Sequence, residues 1–301
     1  NAIDFTAQVG NGAASFSVPL ADLAGLDASF TIGTLILTSQ NTDLTRNRTV
    51  SNVTNGTGTL TFDVSSGNAR VDGTQVHTGS STKTVAVGVL LNDPLEIANN
   101  TFNTVSNTMT FTKAIANGTA SNGISILANT ANTGTYFSSN VIFQGVNTYT
   151  GNTTIFGSGS ANQQGRLSLE STSETRFLLQ DSDMSNRILG GDSLLSFKGE
   201  VTLGGLLRLD VSGLTDAEGT WNLVDVAGLN ESFGGTFGLA FVGGPTFTNA
   251  GGGTYTATNA KGDWTFSTAT GNIVLVPEPA TVVLAGVGIA AAGWTLCRRR
   301  R

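Results

Sequence analysis

Short apolar clusters recur along the first half of the chain, at residues 35–37, 60–64, 85–91, 109–111, 124–127, 141–143 and 167–169. Their centres lie roughly 16 to 26 residues apart, separated by Asn-, Gly- and Thr-rich stretches such as residues 52–58 and 117–123. Thr, Val, Ile and Phe between Gly and Asn punctuation favour strands over helices. One coil of a parallel β-helix needs about 20–25 residues, with Asn and Gly taking the left-handed positions at its corners. Residues 1–165 are therefore predicted to form a β-helix-like repeat region. Each coil would bury only a thin apolar interior, so several must stack. A β-sandwich with long loops satisfies the same spacing and stands as the alternative.

From Arg166 the pattern becomes a cleaner alternation. In Leu207-Arg208-Leu209-Asp210-Val211-Ser212, Leu and Val are expected to face inward while Arg, Asp and Ser face water. Trp221-Asn222-Leu223-Val224-Asp225-Val226, residues 235–242, Trp264-Thr265-Phe266-Ser267 and Ile273-Val274-Leu275-Val276 continue the series, with Gly and Asn turns at hairpin-like intervals. Residues 166–276 are predicted to form an antiparallel β cap or sandwich. Such a cap would shield the open end of the β-helix from edge-to-edge association.

The end of the chain is of another kind. Pro277, Glu278 and Pro279 lead into an uncharged apolar run, residues 280–297, and then into Arg298, Arg299, Arg300 and Arg301. As a helix the run would reach about 27 Å, close to the roughly 30 Å hydrocarbon core of a bilayer. The arginines are expected to stop translocation and stay cytoplasmic, leaving everything before Pro277 outside. The two prolines keep the backbone extended, so Glu278 is expected to stand as a lone carboxylate at the membrane surface. Small residues at Gly286, Gly288 and positions 290–293 would let another helix pack closely.

This order of parts closely resembles the PEP-CTERM sorting signal of Gram-negative bacteria, without a gap over residues 276–301. The resemblance implies recognition by exosortase, a membrane-embedded cysteine-protease-like enzyme, with processing near Pro277, Glu278 and Pro279. A plain single-pass anchor with a Pro-Glu-Pro linker is the simpler alternative. A second resemblance lies at Gly145-Val146-Asn147-Thr148-Tyr149-Thr150-Gly151-Asn152-Thr153-Thr154-Ile155, which is similar to the autotransporter-associated β-strand repeat. It occurs once, and it implies a right-handed β-helical passenger and help with export. No C-terminal array of barrel strands follows it, so self-transport through an own barrel is not expected. The fold class expected is all-β: a right-handed parallel β-helix-like N-terminal part, an antiparallel cap, and one C-terminal transmembrane helix within a sorting tail at residues 277–301.

Composition narrows the chemistry. Of 15 Lys/Arg and 21 Asp/Glu, the tail takes four arginines and Glu278, leaving 11 and 20 and a net charge of −9 on residues 1–276. A body this acidic has no basic patch for nucleic acid or anionic lipid. The single cysteine, Cys297, ends the apolar run, so the body has no disulfide; lipidation at that juxtamembrane site is conceivable, but a bystander is the simpler reading. The sequence begins at Asn1 without a signal peptide, which an exported protein requires, so a mature form or a fragment is expected.

Catalytic chemistry finds little support. His77 is the only histidine, no nucleophile elbow accompanies it, and His/Cys zinc clusters are excluded by count. Asp181, Asp183 and Asp192 have a spacing similar to an EF-hand loop, but Asn186 stands where the glycine belongs and Asp192 where a bidentate Glu belongs. Solvated turn acids are the plainer reading, with calcium a weak candidate. Asp63, Asp72, Lys83, Asp93 and Glu96 are the acids and base that a polysaccharide-cleaving groove would draw on, and they are expected on loops without a diagnostic pairing. Threonine runs at residues 57–61 and 108–112 read as ordinary strand surface.

The expected function is thus that of a non-enzymatic exported surface or matrix protein without cofactors. It would be anchored transiently in the inner membrane, processed by an exosortase-like enzyme, and structural or adhesive in an exopolysaccharide layer. A carbohydrate-active enzyme on a β-helix, or an unprocessed membrane-tethered binding module, is the alternative.

Overall fold

The computed structural model describes residues 15–17, 23–26, 29–37, 48–52, 58–74, 82–102, 108–129, 136–138, 140–181, 186–192 and 194–277, and contains strands and connections but no helix among them. The strands are short, and their alternating apolar residues turn to one side. Three faces result. The first stacks Ser15–Ser17, Thr34–Ile36, Ala69–Asp72, Leu95–Ala98, Ile124–Ile126, Thr153–Phe156 and Ile188–Gly191. The second stacks Leu23–Leu26, Arg48–Asn52, Thr82–Ala86, Thr108–Phe111, Asn140–Phe143, Arg166–Leu169, Gly199–Leu203 and Leu229–Phe233.

The third face runs through Phe30–Ile32, Thr59–Phe62, Gly88–Leu91 and Ile115–Asn117, then Val146–Asn147, Glu174–Leu178, Leu206–Asp210 and Gly238–Phe241. Its two parts are joined where the Thr148 amide donates to the Ile115 carbonyl at 2.8 Å. Every neighbouring pair on the three faces is parallel. The chain visits the first, second and third face in turn and then moves up one level. The fold is a β-solenoid, and the sandwich alternative for residues 1–165 falls away.

Two expectations are corrected by this pairing. The coil is irregular and for the most part longer than 20–25 residues: Ser15 pairs with Thr34, a short step of 19, while Thr34 pairs with Arg70, a step of 36. Leu95 to Ile124 is a step of 29 and Glu174 to Leu206 a step of 32. The apolar clusters belong to different faces, so their spacing measures the distance from face to face as well as from coil to coil. The antiparallel cap is also shorter than residues 166–276. Strands from Arg166 to Phe241 on the second and third faces still pair in parallel, and the cap's antiparallel pairing is confined to Gly219–Asn222 and to strands between Thr248 and Val276. Alternation reports that one side of a strand is wet, and a solenoid face meets that condition with parallel strands.

Inside, equivalent positions of successive coils form columns. On the second face Val85, Phe111, Phe143, Leu169 and Leu203 are in register and buried. The Phe111 and Phe143 rings meet edge-on at 5.6 Å, a geometry that adds about 0.5–1.5 kcal/mol to the burial itself. Each such side chain contributes about 1.5–3 kcal/mol by leaving water.

The corners use Asn and Gly in a way that propensity alone does not forecast. Within the solenoid the described residues with positive φ are Gly67, Asn162, Asp192 and, at the last coil, Gly243. Most corner asparagines instead serve through their side chains. Asn122 donates to the Leu91 carbonyl at 3.1 Å, and Asn186 to the carbonyls of Tyr149 and Arg176 at 3.1 and 2.7 Å. Buried amides thereby satisfy backbone groups that the ladder leaves open. Glycines allow coils to touch: a Cβ on Gly190 would lie 2.1 Å from the Gly228 carbonyl oxygen.

The C-terminal end is closed by a five-stranded antiparallel sheet ordered Gly219–Asn222, Asn272–Val276, Gly262–Ser267, Thr254–Asn259 and Thr248–Gly251. Its inner side buries Trp264, Phe266, Ile273 and Leu275. Trp264 stacks on Trp221 at 5.8 Å and meets Phe241 of the last third-face strand at 5.3 Å, while Phe266 lies 5.9 Å from Phe237. Just past Gly219–Asn222 the chain rejoins the first face, where Val224 bridges Ile188 in parallel. Aromatic area thus replaces the next coil.

Coil-to-coil contact at Gly190 predicts a concrete cost. Gly190→Val forces a side chain onto rigid backbone and is expected to lower unfolding free energy by about 1–3 kcal/mol. Gly159→Ala, at a position with open space, should stay within about 0.5 kcal/mol. Urea denaturation followed by circular dichroism reads both, and equal losses would contradict close coil packing at Gly190.

Candidate functional site

The junction between body and tail is built from the last strand. Leu275 pairs with Gly219 on one side and Trp264 on the other, so it is held from both flanks. Val276 pairs only with Asp263 and is 54% exposed. Gly262, at φ 139°, passes so close that a Cβ would sit 2.4 Å from the Val276 carbonyl oxygen. Pro277 then has no amide hydrogen with which to continue the ladder. The strand stops there, and Pro277 is the last described residue. Glu278, Pro279, residues 280–297, Arg298, Arg299, Arg300 and Arg301 lie outside the described residues. The expected transmembrane helix falls within that stretch; among the described residues no helix is long and apolar enough to cross a membrane.

The outward side of the solenoid carries polar columns. On the second face Thr84, Thr110, Ile142, Ser168 and Thr202 are in register, and Asn140 reaches Ser168 at 2.7 Å. The threonine runs read from sequence are therefore strand surface, with Met109 and Phe111 buried between outward Thr108 and Thr110. Arg166 pairs with Glu200 at 2.9 Å. On the third face Arg176 and Arg208 are directly opposite, which would repel. Each is met by an acid of the neighbouring strand: Arg208 forks onto Glu174 at 2.9 and 3.0 Å, and Arg176 binds Asp210.

These pairings set the carboxylates. The Arg208 hydrogen bond holds Glu174 below its ordinary range. For Asp210, burial pushes upward, but Arg176 and the Ser212 amide together bring the carboxyl below the usual range.

Of the candidate acids, Asp72 and Glu96 meet on Arg70, at 3.4 and 3.6 Å, whereas Asp181 and Asp192 are separated by the strand Ile188–Gly191. The Asp181 carboxylate accepts the Thr215 and Asp216 amides at 2.7 and 3.0 Å and the Thr215 hydroxyl, contacts that depress its pKa. It caps a turn of the next coil. Asp192 stands beyond the strand Ile188–Gly191, at the other end of the first face. Asp183 lies outside the described residues, as do His77 and Cys297. No group of three or more His, Cys, Asp or Glu that could hold a metal occurs among the described residues. Asp63 accepts from Asn92 at 2.9 Å, Asp93 accepts the Val64 amide at 2.7 Å, and Glu96 pairs with Arg70 at 3.6 Å.

Lys83 departs from the loop position expected for it. It points inward from Thr82–Ala86 and is 1% exposed, with its pKa pulled down by burial to about 7 against the opposing field of Asp72. The sequence signal was present as strict alternation in Thr82-Lys83-Thr84-Val85, which places Lys83 on the side of Val85.

A groove of ≈ 440 Å³ opens where the first face turns toward the second. Arg70, Asn100, Asn129, Ser158, Gln163 and Asp192 contribute its polar groups, beside Phe156 and Leu195. Among its described lining residues Asp192 supplies the carboxylate. The segment with the autotransporter-like pattern forms a corner between the third and first faces. Tyr149 is buried in it, its hydroxyl 2.6 Å from that of Thr153, and burial raises its pKa to about 12.

The depressed carboxylates give a pH expectation. Because folded pKa values lie below unfolded ones, the stabilisation is complete at neutral pH and is lost as pH falls below about 4. The pairs are partly exposed, so each is worth at most about 1 kcal/mol. Melting temperature measured from pH 6 to pH 2 should fall less steeply for Glu174→Gln than for the parent chain; identical slopes would contradict a native ion pair.

Comparison with known proteins bears on the tail alone. No curated protein and no solved structure matches the chain. A family model does match at residues 275–301, beginning at the doubly held Leu275: the PEP-CTERM protein-sorting motif. Processing by an exosortase-like enzyme is what that motif implies, and the chain is thereby marked as an exported protein carrying a C-terminal PEP-CTERM sorting tail.

Proposed function

We propose that the protein is a non-enzymatic component of the cell surface or extracellular matrix, with a structural or adhesive role in an exopolysaccharide layer. The observation that carries this reading is the direct passage of a capped solenoid into the sorting motif, with one proline between the last strand and Glu278. The cap closes the C-terminal end of the solenoid before Pro277, so removing the tail would leave that end covered.

In this reading Pro277, Glu278 and Pro279 are the recognition element. Residues 280–297 insert transiently in the inner membrane, and Arg298, Arg299, Arg300 and Arg301 fix topology by remaining cytoplasmic. The corner at Tyr149 and Thr153 belongs to an export-assisting repeat.

The outward columns of Thr, Ser and Asn, together with the groove beside Phe156, offer many weak hydrogen-bonding positions to a sugar chain. Weak contacts repeated along one rod add up through effective concentration.

The test is the fate of Glu278→Ala. Export should persist while processing stops, so that mass spectrometry of the cell-derived protein finds a C-terminal peptide ending in Arg301, which the parent lacks. Normal processing of the variant would sink the recognition role, and Arg301 retained in both would make the tail an ordinary anchor.

A further inference from the structure

Lys83 stands in the inward column of the second face, with apolar residues on the four coils that follow it. In register with it stand Met109, Val141, Leu167 and Val201, all buried. Its Nζ donates to Oδ1 of Asn99 at 3.0 Å. Asn99 is itself 3% exposed, and its Nδ2 donates onward to the Asn140 carbonyl at 3.2 Å. The amide is therefore gripped at both ends, with its carbonyl carbon one bond beyond the oxygen that Nζ touches. Gly73 closes the site, since a Cβ there would fall 3.0 Å from both Lys83 Cδ and Asn99 Oδ1.

An ammonium in this place is costly, because a buried cation needs an ionic partner and this one has a neutral amide. Desolvation lowers the Lys83 pKa to about 7, so much of the amine is unprotonated near neutral pH. An unprotonated lysine in a water-poor pocket is a nucleophile. Holding it against a fixed carboxamide supplies the orientation that makes a slow reaction unimolecular.

We propose that Lys83 and Asn99 join in an intramolecular isopeptide bond. Nζ attacks Cγ of Asn99, forming one C–N bond. The tetrahedral intermediate then expels Nδ2, breaking another, and a proton moves from the attacking nitrogen to the leaving one. The products are a secondary amide and one molecule of ammonia, with no oxidation or reduction.

The bond would tie two successive coils. Lys83 lies on the second-face strand Thr82–Ala86, and Asn99 follows the next first-face strand, Leu95–Ala98. A body without cysteine would gain a covalent staple resembling a disulfide in its effect on the unfolded chain. Unlike a disulfide it would not depend on the redox state of the compartment.

Mass spectrometry of the purified full chain, denatured and then digested, tests the proposal. The expected result is a branched peptide joining the segments of Lys83 and Asn99, lighter by one ammonia than its two linear parts. Lys83→Met, which fits the apolar column, and Asn99→Ala should each yield linear peptides only. Complete recovery of unmodified linear peptides containing Lys83 and Asn99 from the parent chain would overturn the proposal, and this result does not depend on whether a variant folds.

Discussion

The described strands on the three faces find their ladder partners on the coils below and above. The amides of Thr108–Phe111 look to Thr82–Ala86 below and Asn140–Phe143 above, and the same holds along all three faces. Backbone satisfaction, apolar burial and side-chain ladders therefore all run along one axis. A coil alone would expose both its ladder edges and its thin interior, so stability arises from nearest-neighbour contact. This dependence explains why glycine sits where coils cross most tightly, as at Gly190 over Gly228. It also explains why buried Asn side chains are spent on carbonyls at the corners, where ladders pause.

A one-dimensional stack must end somewhere without leaving a sticky edge. At the C-terminal end the chain does this by changing strand direction. Trp221, Trp264 and Phe266 cover the last coil, and Asn272–Val276 is inserted between two antiparallel neighbours. The strand Asn272–Val276 in this closing sheet also leads directly into the sorting motif, so the C-terminal closure and the start of the motif fall at adjacent residues. Proline at 277 makes the boundary sharp, because it can extend neither the ladder nor a helix without loss of a hydrogen bond.

Much of this was legible in the sequence. The strand content followed from β-branched and aromatic clusters, and the tail from three elements in fixed order. Coil length was misjudged because neighbouring clusters such as those at 109–111 and 124–127 lie on different faces. Parallel pairing beyond Arg166 was hidden because Leu207-Arg208-Leu209-Asp210 alternates in the same way in either direction of pairing. Asp181 and Asp192 looked close in sequence, yet an extended strand stands between them. The burial of Lys83 was written in its alternation with Val85, but a charge at an inward position is discounted in sequence reading. Its partner Asn99 lies 16 residues further along the chain, a pairing that no local pattern announces.

The central claim is that the stacked solenoid is closed at its C-terminal end by a cap whose last necessary residue is Val276. Amide hydrogen exchange on the full chain and on protein lacking everything after Pro277 tests it most directly. Protection should be strongest along the inward-facing strands of all three faces and through Asn272–Val276, and unchanged by removal of the tail. If protection in the cap or in the coils beneath it collapses once the tail is gone, the body is not closed at Val276 and the account is wrong.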